Sequence, residues 1–334
     1  MSNHKIKKII QSCNAPPKEK YNILTFPTHE RYETQLCKTG HNFYSFSMDG
    51  QKEWDKKQAK PPENYYILPK NELAAFTEID MVLVQSKFWQ YQVATQILET
   101  LPVPMIVLEH TVPTPKTHSP EQIDVMRSMR GHVNIFISEY SKREWNIEGI
   151  NNYVIHHGLD VETFKPTEIN KEEHILTVAN DFKNRDFCLN YAGWERITSG
   201  MNVKLVGKDN GEGTVNCETT QEIVEEYNKC KIYLNTTTLS PIPMSLLEAM
   251  SCGCAIVSTA TCMIPEIIEN GVNGFISNDE EELKNMISTL QSDDDLRQTM
   301  GENARKTIQQ KFSEKQFISD WNQVFKRVYE VSQI

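Results

Sequence analysis

Residues 240–259 read SPIPMSLLEAMSCGCAIVST, a run of apolar and small residues that holds one carboxylate, Glu248. Pro241 and Pro243 suit the first turn of a helix, where a missing N–H costs nothing. Gly253 suits the helix end, and AIVS then resumes a buried strand, so the sequence predicts a short helix over 243–251. Its start would lie at the carboxyl end of the KIYLN strand and offer free N–H groups and partial positive charge to a phosphate. A carboxylate about one turn further on can accept hydrogen bonds from two vicinal hydroxyls, as on a ribose. A helix-surface glutamate of no consequence accounts for these residues equally well.

Other candidate groups carry their own rivals. Gly207 closes VKLVG, where the lack of a side chain would admit a nucleotide. The GKDNGEG that follows lacks the GxGxxG order of a dinucleotide fingerprint. Three consecutive acids, Asp293, Asp294 and Asp295, invite a metal reading. Ser292 before them and LRQTMGENARKTI after them instead predict a capped helix start, where acids are favourable. Eight cysteines are scattered without a CxxC pair, and Cys252 and Cys254 flank Gly253 as packed thiols, not as a zinc site or disulfide framework. Lys5, Lys7, Lys8, Lys18 and Lys20 form a basic run that reads as a solvated tail or helix face.

The elements that must position these groups follow from pattern. A length of 334 residues suits roughly two domains, and 39% hydrophobic with 24% charged residues is the balance of a soluble globular chain. The net charge of -10 disfavours broad nucleic-acid binding. There is no apolar run of signal-peptide type and none near the ~18 residues of a membrane span, so a cytoplasmic location is expected. Strand-like runs fall at Tyr21–Phe26, Met81–Val84, Met105–Leu108, Asn134–Ile137 and Tyr153–Ile155, with helices at Glu30–Lys38 and Trp89–Glu99 between them. A second series runs through His174–Val178, Val203–Val206, Lys231–Leu234, Ala255–Ser258 and Gly274–Ile276. This alternation predicts parallel α/β layers in two βα domains. The charged, turn-rich segment 157–174 between the series reads as a linker. Phe317, Ile318, Trp321, Val324, Phe325 and Val328 then recur at helical spacing, predicting a last helix that packs on something. Ligands of such tandem domains bind in the cleft between the carboxyl ends of their strands.

Several runs taken together resemble a known family. SPIPMSLLEAMSCGCAIVSTATCMIPEIIENGVNGFI resembles the nucleotide-sugar signature of retaining GT-B glycosyltransferases of family four, the glycosyl transferases group 1. VIHHGLDVETFKP at 154–166, FISEYSK at 136–142, VKLVGKDNG at 203–211 and FPTHERYETQLCKTGHNFYSF near the start support it in the expected order. The resemblance covers about residues 20–330. It implies a GT-B fold, α/β, with two Rossmann-like domains facing across a cleft. The first would be 1–165, an acceptor-side domain completed by helix 315–331, and the second 166–314, which binds the nucleotide sugar.

The resemblance also implies roles. Glu248 would be the second acid of a Glu-x7-Glu motif and bind the donor ribose; at the first acid this chain has Ser240. Pro243 stands where the family has a glycine whose amide helps hold the donor sugar. Ile242, Met244 and Ser245 complete the donor side around the helix start. The family's Arg and Lys after the first strand of the second domain correspond to Lys183 and Arg185 in VANDFKNRDF. They would stabilise the charge on a departing diphosphate, and their rival reading is an exposed loop paired with Asp181 and Asp186. His110, after the IVLE strand end, is assigned contact with the donor sugar. His29 and Glu30 are acceptor-side candidates, against a plain N-cap role for Thr28. His156 and His157 shape the interdomain turn. Hinge glycines of the family are replaced here by Thr28, His29 and Glu30.

The implied activity is transfer of a sugar from a nucleoside diphosphate to an acceptor hydroxyl, with retention, and with no metal and no cofactor. The acceptor is open among glycan, lipid and small molecule, with modified DNA opposed by the net charge. Rival readings are a GT-B nucleotide-sugar epimerase, an inactive nucleotide-sugar-binding module, and a glycosyltransferase acting on a hydroxylated nucleic-acid base.

Overall fold

A computed structural model describes residues 18–56, 59–73, 78–149 and 151–332. The chain forms two units, each built on its own parallel sheet. The first takes the described residues up to Ile137, Lys142–Ile155 and those from Phe317 onward. Its strands are β1 (Asn22–Thr25), β2 (Asn42–Ser45), β3 (Tyr65–Ile67), β4 (Met81–Val84), β5 (Met105–Glu109), β6 (Val133–Phe136) and β7 (Asn152–Val154). They lie in the order β3-β2-β1-β4-β5-β6-β7, all parallel. A sheet covered on both faces explains why MVLV and MIVLE are apolar without alternation, and both strands are buried throughout. Leu24, Phe26, Val82, Val84, Ala94 and Val107 form the core on one side.

The second unit takes Ser138–Ser141 and His156–Gln316. Its strands are β8 (Glu172–Val178), β9 (Val203–Val206), β10 (Cys230–Asn235), β11 (Ala255–Ser258) and β12 (Phe275–Ile276), in the order β12-β11-β10-β8-β9. Both orders reverse direction once, between β1 and β4 and between β8 and β10. Loops beyond the carboxyl ends of those strands therefore splay apart and leave a crevice in each unit.

Two expectations are corrected. The second compact unit begins its main segment at His156, and the stretch expected to be a linker is packed onto it. Leu159 bridges to Ser313, Asn228 accepts from Thr167 N–H, and the Arg305 guanidinium donates to the carbonyls of Val161, Phe164 and Ser251. Polar, turn-rich sequence made this stretch look like a spacer, but its backbone carbonyls are acceptors for the half-buried Arg305 guanidinium. Strand β3 carried no sequence signal, because an edge strand with Tyr66 and Ile67 exposed shows no buried alternation. His156, expected to shape a turn between domains, packs its ring on Phe312 at 5.0 Å within the second unit.

The basic run divides. Lys5, Lys7 and Lys8 lie outside the described residues, while Lys18 pairs with Asp80 at 2.7 Å and Lys20 is exposed. The acids at 293–295 do open a helix, Asp294–Lys311, yet the cap is Asp293 itself, whose side chain accepts from Leu296 N–H; Ser292 ends the preceding helix. Among the described residues no group of three or more His, Cys, Asp or Glu side chains could hold a metal ion.

The last helix, Glu314–Ser332, buries Phe317, Trp321, Phe325 and Val328 on one stripe. From Phe317 on, it belongs to the first unit. Trp321 is fully buried and donates from Nε1 to the Tyr32 hydroxyl at 3.1 Å, and Phe325 meets the His41 ring at 5.3 Å. Replacing Trp321 by Ala removes the largest of these contacts and its hydrogen bond to Tyr32. The expected loss is about 3–5 kcal/mol in urea unfolding, and a loss below 1 kcal/mol would show that the helix is not a structural part of this unit.

Candidate functional site

The predicted helix around Glu248 forms over Met244–Ser251. Pro243 occupies the N-cap position and contributes no side-chain cap. The first intrahelical bonds run from Leu246 and Leu247 N–H to the Pro243 carbonyl, so the N–H groups of Met244 and Ser245 find no acceptor among the described residues. Leu246, Leu247, Ala249 and Met250 are buried, leaving Met244, Ser245 and Glu248 on the half-exposed face. At i, i+1 and i+4 these three share one side of the helix. Gly253 adopts φ +74 just past the end, the left-handed turn that lets the chain re-enter β11.

Two buried tyrosines, unremarkable in the sequence, support this face. Tyr227, on helix Thr220–Lys229, is completely buried and donates its hydroxyl to Glu248 Oε2 at 2.7 Å. Burial and the neighbouring Glu248 carboxylate push its pKa well above the usual value, so it stays a donor. Tyr233, on β10, donates to Ser245 Oγ at 2.9 Å. Glu248 is thus anchored from within the protein and not a free surface side chain. Its anchor lies 21 residues upstream on another element, which no local spacing rule reveals.

The loop after β10 is tied to the cation turn. Thr238 and Leu239 N–H both donate to the Cys188 carbonyl, and the Thr236 hydroxyl donates to that of Leu189. Lys183 and Arg185 sit immediately before that short helix, Asp186–Leu189, and are exposed. The turn is also laced to the end of β9: Asp181 N–H donates to the Lys208 carbonyl and Phe182 N–H to Asn210 Oδ1. Segments bearing Lys183 and Arg185, Gly207, and Ser240 therefore meet at the carboxyl rim of the second sheet. The ion pairs with Asp181 and Asp186 do not form. Asp181 accepts from Asn184 and Asp186 from Ala192 N–H, which leaves both cations without a carboxylate partner among the described residues. Ser240 is half-buried with no hydrogen-bond partner among them, and Ile242 is buried. Gly207 has a nearer reason to be glycine than a ligand: at φ +142, a Cβ would lie 1.9 Å from the Ala179 carbonyl oxygen.

In the first unit, His29 and Glu30 follow β1 and His110 follows β5 at the same rim of the sheet. His29 is the N-cap residue of helix Glu30–Cys37 but makes no side-chain cap, and Thr28 bonds instead to the Phe26 carbonyl and Gln90. Burial and nearby Lys52 lower the His29 pKa, keeping it neutral near pH 7. Glu30 points inward: Oε1 accepts from Asp55 N–H at 3.0 Å and Oε2 pairs with Lys52 at 3.0 Å. It braces the 52–55 loop, so the acceptor-side expectation fits His29 better than Glu30. The His110 ring lies 5.7 Å from His29 and edge-on to Tyr32 at 4.7 Å. Just before it, buried Glu109 pairs with buried Lys87 at 2.6 Å, and Lys87 lies over the Trp145 ring and donates to the Met129 carbonyl.

Beneath this rim lies Glu33, one turn into the helix and fully buried. Its oxygens accept from Gln85 Nε2 at 2.7 Å and Thr28 N–H at 3.3 Å and meet the Tyr65 hydroxyl at 3.2 Å. Burial outweighs these bonds and pushes the carboxyl pKa up to about 8.

Comparison with known proteins agrees with this geometry. Residues 208–307 match the model of the glycosyl transferases group 1 family. An uncharacterized glycosyltransferase of Methanocaldococcus jannaschii is 36% identical over 86 residues, 25% of this chain and 22% of that protein. N-acetyl-alpha-D-glucosaminyl L-malate synthase of Bacillus anthracis is 30% identical over 82 residues, 24% and 22% of the two chains. The matched stretches thus span about a fifth of either relative's length. Among solved structures, sucrose-phosphate synthase of Thermosynechococcus elongatus superposes with a TM-score of 0.72 at 14% identity, covering 93% of this chain and 100% of that one. Anabaena HepE, solved with UDP, gives 0.71 at 15% identity, covering 92% and 100%. The chain has the GT-B fold. No helix among the described residues is long and apolar enough to cross a membrane.

Glu33 makes a stability prediction. Its folded pKa of about 8 exceeds the ordinary glutamate value of 4.5, so between those values the folded state holds a proton the unfolded state has released. Stability therefore falls as pH rises through that window. Urea unfolding should lose free energy from pH 5 to pH 8 more steeply in the native protein than in Glu33→Gln; equal slopes would contradict the burial assigned to this carboxyl.

Proposed function

We propose that the protein is a glycosyltransferase that moves a sugar from a nucleoside diphosphate donor to an acceptor hydroxyl with retention at the anomeric carbon. The observation that carries this reading is Glu248, fixed by Tyr227 on a helix whose first N–H groups have no acceptor among the described residues, inside the family-matched segment. In this reading the carboxylate accepts from the two ribose hydroxyls while the helix start takes a phosphate. Lys183 and Arg185, without carboxylate partners, face the diphosphate. As the glycosyl–phosphate bond breaks, its electron pair leaves on the diphosphate, and these cations stabilise that charge. The acceptor oxygen bonds to the anomeric carbon from the same face, and its proton passes to the departing phosphate. His110 contacts the donor sugar on the strength of the family resemblance, and His29 serves the acceptor. The nucleotide sugar is a substrate, and the reading uses no cofactor or metal. The acceptor is a glycan, a lipid or a small molecule.

Ser240 and Pro243 favour one second reading. A hydroxyl replaces an acid, and an amide donor is missing, at two points where the family resemblance places the sugar. A protein that binds a nucleotide sugar without transferring it would tolerate both.

Calorimetry with UDP, the nucleotide bound in the HepE structure, separates the assignments. Glu248→Ala should raise Kd about tenfold or more, since a hydrogen bond to a charged group contributes about 1.5–3 kcal/mol. Tyr227→Phe, which leaves Glu248 unanchored, should raise it about threefold, a smaller effect than losing the carboxylate. An unchanged Kd in Glu248→Ala would sink the ribose assignment. For the sugar, a thermal-shift panel of nucleotide sugars on the native protein and Ser240→Glu should show a change in the preferred donor. Identical rankings would remove Ser240 from sugar selection. Release of nucleoside diphosphate with any donor and acceptor would exclude the binding-only reading.

A further inference from the structure

The rim of the first sheet holds a buried polar chain that ends on His110. Glu33 Oε1 accepts from Gln85 Nε2 at 2.7 Å, and the same nitrogen lies 3.3 Å from Thr25 Oγ1, so both amide hydrogens have acceptors. The opposite atom of that amide, Gln85 Oε1, lies 3.1 Å from His110 Nε2. An amide oxygen can only accept, which requires the hydrogen to sit on His110 Nε2 and makes Nδ1 the acceptor nitrogen of the neutral ring.

The orientation of Gln85 does not depend on the charge of Glu33. Oε1 faces two donors, Gln85 Nε2 and Thr28 N–H, and stays an acceptor whether the carboxyl is ionised or not. A proton on Glu33 resides on Oε2, 3.2 Å from the Tyr65 hydroxyl, which in turn donates to Ser45 Oγ at 2.9 Å. Turning the amide over would set its oxygen toward Glu33 Oε1 and its nitrogen toward His110, leaving one acceptor facing another. Gln85 is itself buried, and Gln90 Oε1 accepts from its backbone N–H at 3.0 Å. Tyr32 closes the ring from the side, edge-on at 4.7 Å, with its hydroxyl held by Trp321.

We infer that Gln85, oriented by Glu33, is a positioning residue that holds His110 in the Nε2–H tautomer. Its part in catalysis rests on the reading of His110 as a donor-sugar contact. A histidine in mixed tautomers presents two different hydrogen-bonding patterns to its surroundings, whereas a fixed tautomer presents one.

Long-range 15N–1H spectra of the imidazole rings test this in the ligand-free protein, with His110 assigned by its absence in His110→Gln. The native protein should show neutral His110 protonated at Nε2. Gln85→Leu should move its ring shifts toward a tautomer mixture. Glu33→Gln, which keeps an acceptor oxygen for Gln85, should leave them in place, and Glu33→Leu should not. In transfer assays Gln85→Leu should lower kcat about tenfold with a smaller change in donor KM, the scale of a lost orienting partner. An Nδ1–H tautomer in the native protein, or an unchanged tautomer in Gln85→Leu, would overturn the inference. A single Nε2–H tautomer in a protein that transfers no sugar would support the wiring and overturn the proposed function alone.

Discussion

Strand pairing within each sheet is parallel throughout, and from that alignment the rest of the molecule follows. Parallel strands need a crossover after each one, so both faces of the sheet are covered and every strand ends at the same rim. The rim is where buried backbone turns outward and where polar groups must be satisfied or supplied to a ligand. His29, Gln85, His110, Lys183, Arg185, Gly207 and Ser240 sit on rim loops, and Glu33 and Glu248 lie within the helices that follow them. Asn235 closes β10 before the Ser240 loop, Glu109 closes β5 before His110, and Thr25 closes β1 before His29.

The two rims solve the polar problem differently. In the second unit, Tyr227 and Tyr233 place their rings in the core and lend only their hydroxyls to Glu248 and Ser245. The Glu248 carboxylate stays half-exposed, while the tyrosine that holds it is buried and stays a donor. In the first unit the acid itself is buried. Glu33 accepts from Gln85 and Thr28 and meets the Tyr65 hydroxyl, yet desolvation wins and raises its pKa. One arrangement yields a half-exposed carboxylate that can accept from a ligand, and the other a largely neutral group that orients its neighbours.

Much of this was legible in the residues. Continuous apolar strands, the proline-started helix at 244–251 and the aromatic stripe from Phe317 to Val328 each follow from one-dimensional patterns. What escaped was of two kinds. Edge strand β3 and the packed segment after His156 lack periodic burial; β3 is ordered by pairing with β2, and the segment by distant partners such as Arg305 and Ser313. Partners such as Tyr227, Glu33 and Gln85 are ordinary residues in their own elements. Gln85 and Glu33 lie 52 positions apart and Tyr227 and Glu248 21 apart, so their pairing exists only once the sheets form.

The sequence by itself determined the α/β class, the succession of strands and helices, and the placement of Glu248 one turn into a helix, because hydrophobic periodicity and chain-stiffening residues act locally. Only the tertiary structure decided which groups are charged, paired or fixed. It turned Glu30 inward, left Lys183 and Arg185 without the aspartates beside them in sequence, and made Gly207 a necessity of strand contact. Desolvation and hydrogen bonding depend on what lies within a few ångströms in space, and residues distant along the chain supply that neighbourhood.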